Sequence, residues 1–235
     1  LAARSAQRIG AGIVALACAS DAVSVYRTAL ISAVVRVVDD TETFINLLDD
    51  PRTSAWLIGP GAGKSEQVRE RVIAGLLTGK PAILDADALT VFEDSSDLLF
   101  KSIVGPCLLT PHESEFRKLF RIEGDKITRV RKAAQDINCV ILLKGPDTVI
   151  AHPDGRVVIN SNGPADLATA GSGDVLAGLA AGLIAQNMDP YYAACAAVWL
   201  HGASAQKFGP GLVAEDLVEQ LPSVLKSLKS RAYFT

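Results

Sequence analysis

The sequence predicts an α/β protein in which a mostly parallel sheet is covered by helices on both faces. Three observations lead to this prediction. Strand and helix patterns alternate along most of the chain, which is typical of βαβ units. Several strand segments are almost continuously apolar, as expected for parallel strands buried on both sides. The chain has 235 residues, 49% of them hydrophobic, so a single domain with a large core accounts for residues 1–235.

Short apolar runs, many of them β-branched, mark the strands. They end at glycine, proline or a charged residue, which sets their limits. Strands are expected at 12–19, 31–38, 55–58, 81–84, 103–109, 139–144, 148–151 and 156–160. The turn sequence Pro153-Asp154-Gly155 joins the last two strands, so we expect an antiparallel hairpin late in an otherwise parallel sheet.

Segments with apolar residues at helical spacing lie between and after these strands. Residues 1–9 have the pattern of a helix end, and the segment after Ser65 is amphipathic. Helices are expected at 65–77, 113–120, 126–137, 165–186, 190–208 and 214–229. The last three follow one another without a strand, so we expect them to close the fold.

Charge and cysteine content exclude some classes of function. The formal net charge of −3 argues against nucleic acid as the main partner. The four cysteines are scattered without a CxxC pair, and we interpret them as reduced core residues of a cytoplasmic protein. Arg4 and Arg8 precede an apolar run as in a signal peptide. That run is short and interrupted by glycine, so a helix followed by a strand is favoured, and no membrane partner is expected.

Four polar or glycine-rich segments come directly after strands. They are Gly59–Gly63, Asp85–Asp87, Thr110–Glu115 and Lys144–Thr148. In open α/β sheets, ligands bind outside the carboxyl ends of the strands. The sequence therefore predicts that these segments line one crevice.

The segment Ala170-Gly171-Ser172-Gly173-Asp174 opens a helix rich in small residues. A glycine-rich turn before a helix leaves backbone N–H groups free, and these groups bind anions such as phosphate. A carboxylate in such a site would repel a ligand that is only bound. Asp174 fits better as a base that takes a proton from a hydroxyl while the amides hold the phosphoryl group under attack. The alternative is that Asp174 caps the helix.

Gly59–Ser65 superficially resembles the phosphate-binding P-loop. That motif has four residues between its first glycine and the Gly-Lys pair, whereas Gly59 and Gly63 are separated by three. A shorter loop cannot wrap a phosphate with the same amides. We therefore interpret Gly59–Gly63 as a glycine turn that lines a substrate pocket.

Six segments carry a resemblance to a known family. They are Gly59–Gly63, Leu84–Leu89, Leu109–Phe116, Leu143–Thr148, Ala168–Gly178 and Leu200–Ala203. In this order they resemble the ribokinase-like superfamily and, within it, the ADP/ATP-dependent NAD(P)H-hydrate dehydratases. The Gly-Ser-Gly-Asp element is common to the superfamily. The Thr-Pro-His-x-x-Glu-Phe segment narrows the resemblance, since related kinases usually carry Asn where His112 stands.

The resemblance implies a ribokinase-like three-layer α/β/α fold and a repair reaction. ADP or ATP phosphorylates the hydroxyl that hydration has added to the nicotinamide ring of NADH or NADPH, in the S epimer. Phosphate, a much better leaving group than hydroxide, then departs and the dihydronicotinamide is restored. The resemblance also implies a homo-oligomer, a tetramer, and a fused or separate epimerase partner. A substrate-binding segment that precedes the first helix in the family is expected to be missing from this chain.

The resemblance carries over site roles residue by residue. Asp174 is expected to be the base. The expected anion hole consists of Ala170, Gly171, Ser172 and Gly173. The nucleotide is expected to contact Lys144, Gly145, Pro146, Asp147, Thr148 and Gly173. The hydrated cofactor is expected to contact Gly59, Gly61, Gly63, His112 and Asp174. Mg²⁺ would bridge the nucleotide phosphates, with Glu115 as its candidate protein ligand.

Several alternatives stay open at this stage. His112 could instead cap the helix that follows it, and Glu115 could be a carboxylate of the first helical turn. Asp85 is interpreted equally well as a structural residue or as one that holds a ligand, and His201 as a core histidine. For the whole protein, the alternatives are a kinase of the same fold, acting on a thiamine-precursor or sugar hydroxymethyl group, and a non-catalytic nucleotide-binding module.

Overall fold

The structure is a computed structural model and describes residues 1–232. Strands and helices alternate as the sequence predicts. The strands are β1 Ala15–Cys18, β2 Val34–Val37, β3 Trp56–Ile58, β4 Ala82–Leu84, β5 Cys107–Leu109, β6 Val140–Leu143, β7 Thr148–Ala151 and β8 Val157–Asn160. The helices are α1 Ala2–Ile9, α2 Val23–Ala29, α3 Thr41–Asp49, α4 Glu66–Leu77, α5 Asp87–Thr90, α6 Ser96–Ser102, α7 Glu113–Leu119, α8 Lys126–Asp136, α9 Ser172–Ile184, α10 Pro190–Phe208 and α11 Ala214–Ala232.

The main sheet has six strands in the order β3-β4-β5-β6-β7-β8. The first four are parallel, and β6, β7 and β8 are antiparallel. Strands β1 and β2 form a separate parallel pair. The mostly parallel sheet and its late hairpin are therefore confirmed. Because β3 to β6 run the same way, their carboxyl ends share one edge.

Alternate residues of each central strand point into two different cores. In β4, Leu84 packs with α3, α4 and α5 to α8 on one face, whereas Ile83 packs with α1, α9, α10 and α11 on the other. Both side chains are fully buried. The result is the expected three-layer α/β/α arrangement, with one apolar core on each side of the sheet.

The strands expected over 12–19 and 31–38 are shorter at both ends, and two other predicted elements differ more strongly in where they begin. The helix expected over 165–186 is interrupted, because Ala165–Leu167 forms a 3₁₀ turn and α9 begins only at Ser172. Gly171 before it has a φ of 83°, a left-handed conformation that cannot continue a helix. The strand expected from residue 103 begins at Cys107. A Cβ on Gly105 would lie 2.2 Å from the Gly79 carbonyl oxygen. The chain at Gly105 therefore packs against the residues that follow α4 before it enters the sheet.

Helices α2, α3, α5 and α6 have no counterpart among the predicted elements. They have four to nine residues, so each offers few turns over which a helical pattern can be recognised. The β1–α2–β2 unit also differs from the rest, because none of the residues in these three elements is buried. Ile31, between α2 and β2, is 95% exposed.

Helix α1 lies directly on α9, the helix that carries Asp174. A Cβ on Gly178 would come within 2.1 Å of the Ser5 hydroxyl, and one on Gly182 within 2.3 Å of the Ile9 side chain. The two glycines, one turn apart, allow the helix backbones to approach closely. They explain part of the small-residue composition that the sequence shows after Asp174.

Within residues 1–232, no helix is both long enough and apolar enough to cross a bilayer. The four cysteines are free thiols, and Cys107 and Cys139 are buried.

Candidate functional site

The four strand-end segments meet at the carboxyl edge of β3 to β6, as the sequence predicts. The Asp85 carboxylate after β4 contacts the Lys144 ammonium after β6, at 2.6 Å. The Asp87 carboxylate accepts a hydrogen bond from the Gly63 backbone N–H, at 2.9 Å. His112, after β5, forms an isolated parallel bridge with Lys144. These contacts join segments that are 24 to 59 residues apart in the sequence.

The beginning of α9 faces this edge of the sheet. Gly171 is its N-cap and has no side chain that could satisfy the first amides. Ser172, Gly173 and Asp174 are the first three residues of the helix. The Ser172 N–H donates to the Thr169 carbonyl oxygen at 3.3 Å, whereas the N–H groups of Gly173 and Asp174 have no carbonyl partner in the preceding turn. These amides and the positive end of the helix make a candidate anion site, and the anion hole stays a prediction here. The residues predicted to form the anion hole thus lie at the start of a helix that has no capping side chain.

Asp174 is half-buried at the third position of α9. Burial raises the pKa of its carboxyl group, and the negative charge of Asp85 raises it further. The Lys144 ammonium acts in the opposite direction on this pKa and lowers it. A carboxylate with a raised pKa holds a proton more readily, which suits a general base. The position alone would also suit a helix-capping role, but the Asp174 side chain makes no cap hydrogen bond.

Gly173 stands over the ion pair of Asp85 and Lys144. A Cβ at this position would lie 3.5 Å from Lys144 Nζ and 4.0 Å from Asp85 Oδ2. The Asp85 side chain is 2% exposed and that of Lys144 is 19% exposed. A lysine ammonium therefore stands directly beside the free amides of α9, where it adds a positive charge to the anion site.

The segment Lys144–Thr148 consists of the loop between β6 and β7 and of Thr148, the first residue of β7. Its ends are held by a Thr148 hydroxyl that accepts from Gly145 N–H and donates to the Gly145 carbonyl oxygen. Lys126, the first residue of α8, donates to both the Asp147 carbonyl and its carboxylate, at 2.6 and 2.8 Å. Lys126 was not among the predicted site residues, because no local motif distinguishes it from other lysines at helix starts.

The glycine segment Gly59–Gly63 packs against the strand end that carries Asp85. Gly59 has a φ of 138°, and a Cβ there would lie 1.7 Å from the Asp85 carbonyl oxygen. Gly61 and Gly63 also have positive φ, of 68° and 80°, but their Cβ positions are open. Gly59 is therefore required by close approach to Asp85, whereas Gly61 and Gly63 leave free space beside the crevice.

His112 is the N-cap of α7, and Glu115 completes a capping box with it. The His112 Nδ1 accepts from the Glu115 N–H, and the Glu115 carboxylate accepts from the His112 N–H. The imidazole is 54% exposed, whereas the Glu115 side chain is 9% exposed. His112 thus caps the helix that follows it, which is the alternative role left open by the sequence. Its ring still faces the solvent at the crevice, and the Glu115 carboxylate is used within the cap.

In the part of the chain that the structure describes, no cluster of three His, Cys, Asp or Glu side chains could hold a metal ion. Mg²⁺ commonly binds through substrate phosphates, waters and one or two carboxylates. The residues present fit an ion of that kind, which would arrive with a nucleotide, because the anion site borders the half-buried Asp174. They do not form a metal cage of their own.

His201 of α10, interpreted from the sequence as a core histidine, is indeed buried. Its Nε2 contacts Ser172 at the first position of α9. Burial lowers the pKa of this histidine to about 4, so the ring is neutral at pH 7. His201 thereby supports the start of the helix without carrying charge into it.

Comparison with known proteins gives one consistent family. The sequence model of a family described as NAD(P)H-hydrate dehydratase matches residues 1–223. The ADP-dependent (S)-NAD(P)H-hydrate dehydratase of Neisseria meningitidis is 37% identical over 191 residues, which are 76% of this chain and 64% of that protein. A bifunctional NAD(P)H-hydrate repair enzyme of Salinibacter ruber is 41% identical over 181 residues, 72% of this chain and 33% of that protein.

Solved structures agree with these relatives. The crystal structure of ADP/ATP-dependent NAD(P)H-hydrate dehydratase from Bacillus subtilis, co-crystallized with ATP/Mg²⁺, superposes with a TM-score of 0.81 at 29% identity. The match covers 96% of this chain and 83% of that one. The aligned part of the chain thus spans between a third and two thirds of the two curated relatives named above.

Proposed function

The chain belongs to the NAD(P)H-hydrate dehydratase family, and we propose that it uses ADP or ATP to dehydrate the S epimer of hydrated NADH and NADPH. The observation that carries this proposal is the position of Asp174. It lies at the start of α9, next to free helix amides and to the Lys144 ammonium, at the edge where the strand-end loops meet. A base, an anion site and a crevice for two ligands are what phosphoryl transfer to a hydroxyl requires.

In the first step, the Asp174 carboxylate takes the proton of the ring hydroxyl. The hydroxyl oxygen forms a bond to the terminal phosphorus of the nucleotide, and the bond from that phosphorus to the rest of the nucleotide breaks. The amides of the anion hole and the Lys144 ammonium stabilise the negative charge on the transferring group. In the second step, the ring C–O bond breaks and phosphate leaves with the bonding electrons, while the neighbouring ring carbon gives a proton to water and its C–H electrons restore the double bond.

The two ligands approach from different sides of Asp174. Lys144–Thr148, tied at its ends and held by Lys126, would contact the phosphates and ribose of the nucleotide. Gly61, Gly63 and the exposed His112 ring would contact the hydrated cofactor, since the glycines leave open space there. When bound with the nucleotide, Mg²⁺ would reduce the repulsion between the phosphates and the attacking oxygen. Glu115 would reach such an ion only by leaving its cap.

Recovery of NADH tests this proposal. Hydrated NADH is incubated with ADP or ATP and the whole protein as the natural reading frame encodes it, and the dihydronicotinamide absorbance band is followed. We expect the band to return with at least one of the two nucleotides and release of inorganic phosphate. A stable phosphate ester without recovery would instead support a small-molecule kinase of this fold. No recovery and no ester with either nucleotide would refute both activities.

Self-association is a second part of the proposal. Tyr192 and Trp199 lie two turns apart on α10 and are 56% and 40% exposed, and Ile159 on the edge strand β8 is 50% exposed. We propose that this apolar surface joins copies of the chain in a homo-oligomer, a tetramer. Light scattering after size exclusion should give a multimeric mass that falls in a Trp199→Lys variant. A monomeric parent protein at micromolar concentration would contradict the proposal.

The remaining proposals concern the setting of the reaction. An enzyme that accepts one epimer needs another activity to convert the opposite epimer, so we propose an epimerase as a fused or separate partner. A bifunctional relative supports this proposal. We also propose a cytoplasmic location, which the free thiols support.

A further inference from the structure

The ion pair of Asp85 and Lys144 connects two strand ends across the end of β5. Asp85 follows β4, Lys144 follows β6, and their charged atoms are 2.6 Å apart. Both side chains are largely withdrawn from water, and the Asp85 carboxylate almost completely. A buried ion pair gives little net stability compared with apolar groups of similar size. A contribution to stability therefore does not explain why this pair stands at the edge of the sheet.

The pair faces the reacting part of the site. Gly173 comes so close that its missing Cβ would contact both charged groups, within 3.5 Å of the ammonium and 4.0 Å of the carboxylate. Asp174 is the next residue, and the charge of Asp85 acts on it directly. The Asp85 carboxylate thus has two neighbours with a role in the proposed reaction. One is the Lys144 ammonium, which would stand beside the phosphoryl group, and the other is Asp174, the proposed base.

The backbone around Asp85 is fixed on both sides. Gly59 approaches the Asp85 carbonyl so closely that no side chain could stand there. The next residue, Ala86, has φ 46° and ψ −118°, a strained conformation for a residue other than glycine. Asp87 binds Gly63. Strain of this kind persists where surrounding contacts enforce it, and here they hold the Asp85 carboxylate in one place.

We propose that Asp85 is a positioning residue for phosphoryl transfer, which holds the Lys144 ammonium beside Gly173 and places a second negative charge next to Asp174. This proposal rests on the proposed function for its role in turnover. Without Asp85, the flexible lysine side chain loses the partner that fixes its direction. The base would then face a positive charge without the compensating negative one, and it would accept a proton less readily.

Asp85→Asn tests the proposal, because the amide keeps the size of the side chain and removes its charge. We expect kcat to fall about tenfold. This loss is smaller than the 10²–10⁴-fold rate enhancement that a positioned base contributes, because Asp174 itself is still present. The KM for the nucleotide should stay within about twofold, since Lys144 can still reach the phosphates. The acid limb of the kcat/KM profile should move to lower pH. Of the groups that face Asp174, Asp85 alone raises its pKa by charge, whereas Lys144 lowers it and His201 is neutral.

Asp87→Asn is the matched control, two residues away in the same strained segment. It removes the charge that holds Gly63, so it should raise the KM for the hydrated cofactor. The acid limb of the kcat/KM profile of Asp87→Asn should lie at the same pH as in the parent protein, because Asp87 is not among the charges that act on Asp174. An equal shift in both variants would mean that the whole segment is disturbed and would overturn a specific role of Asp85.

Two further measurements cover the outcomes that the single variant leaves open. If Asp85→Asn is poorly folded, the double variant with Lys144→Met removes both charges at once. The loss caused by Asp85→Asn should be smaller in the Lys144→Met background, whereas additive losses would overturn the link to Lys144. The carboxyl titration of Asp174, followed by NMR without substrate, should move to lower pH in Asp85→Asn. An unmoved titration overturns the proposal even where NADH recovery fails, so this result and the proposed function can be judged separately.

Discussion

His201 Nε2 lies 3.0 Å from the Ser172 carbonyl oxygen and 3.1 Å from the Ser172 hydroxyl, at the first residue of α9. The carbonyl can only accept a hydrogen bond, so the proton of the neutral ring is on Nε2. A histidine that must stay neutral connects the stability of the fold to pH.

The first prediction follows from that connection. The pKa of His201 falls from 6.5 in the unfolded chain to about 4 in the fold, so the unfolded state binds the extra proton over this interval. The free energy of unfolding should therefore decrease as pH falls from about 6.5 to about 4, by about 3 kcal/mol in total. Urea denaturation at several pH values measures it. His201→Gln should lose less stability over the same interval, and parallel curves for both proteins would contradict the prediction.

Asp174→Asn should reduce turnover and raise stability at the same time. If Asp174 is the base, kcat falls about 10²-fold or more while the nucleotide still binds. The raised pKa of the Asp174 carboxyl means that its charged form is unfavourable in the fold, so the variant should melt higher at pH 7. The difference should shrink as pH falls and the parent protein takes up its proton. Unchanged kcat would contradict the role of Asp174 as the base.

Gly173→Ala should affect the nucleotide and not the fold. A methyl group there meets Lys144 Nζ at 3.5 Å, an ordinary contact distance, and alanine is well suited to a helix. It would nevertheless occupy the space in which phosphate oxygens approach the amides. We expect kcat/KM for the nucleotide to fall about tenfold or more, with a melting temperature equal to or above that of the parent protein. A large loss of stability would show that the methyl group does not fit as the distances indicate.

Lys126→Met should weaken nucleotide binding by loosening Lys144–Thr148, although Lys126 is not itself a predicted site residue. The variant removes two hydrogen bonds to Asp147, each with about 1 kcal/mol of net effect. We expect the KM for the nucleotide to rise about fivefold, with a smaller change in kcat. Lys132→Met is the control, because Lys132 lies on the same helix but is 59% exposed and pairs with Asp136. An equal effect of both substitutions would point to the loss of charge alone.

The sequence alone predicted the central layers well, because apolar runs and their polar ends carry a strong local signal. Strands β3 to β8 and the long helices α4, α10 and α11 lie within a few residues of their expected positions. The start of α9 was placed wrongly since Ala165–Leu167 has good helical composition. The φ of Gly171, which decides where the helix begins, depends on packing against Leu1 and Ala214.

The site was predicted as a set of loops, but not as a set of contacts. Glycine patterns and family resemblance indicated Gly59–Gly63 and Asp174 without the structure. The partner of Lys144 could not be found this way, because Asp85 is 59 residues distant and strand order decides which ends meet. The contacts of Lys126 with Asp147 and of His201 with Ser172 were not predicted for the same reason. Each acts through a backbone atom of a distant segment, and such an acceptor has no signature in the sequence.

The turn between β6 and β7 has a consequence for natural variation in this protein family. Leu143 pairs with Val149 and Leu142 with Ile150, so the five residues between Leu143 and Val149 connect two fixed partners. One inserted residue that displaced this register would turn the β7 side chains from one core to the other, and all four of them are buried. Evolution should therefore conserve the length of Lys144–Thr148 more strictly than its composition.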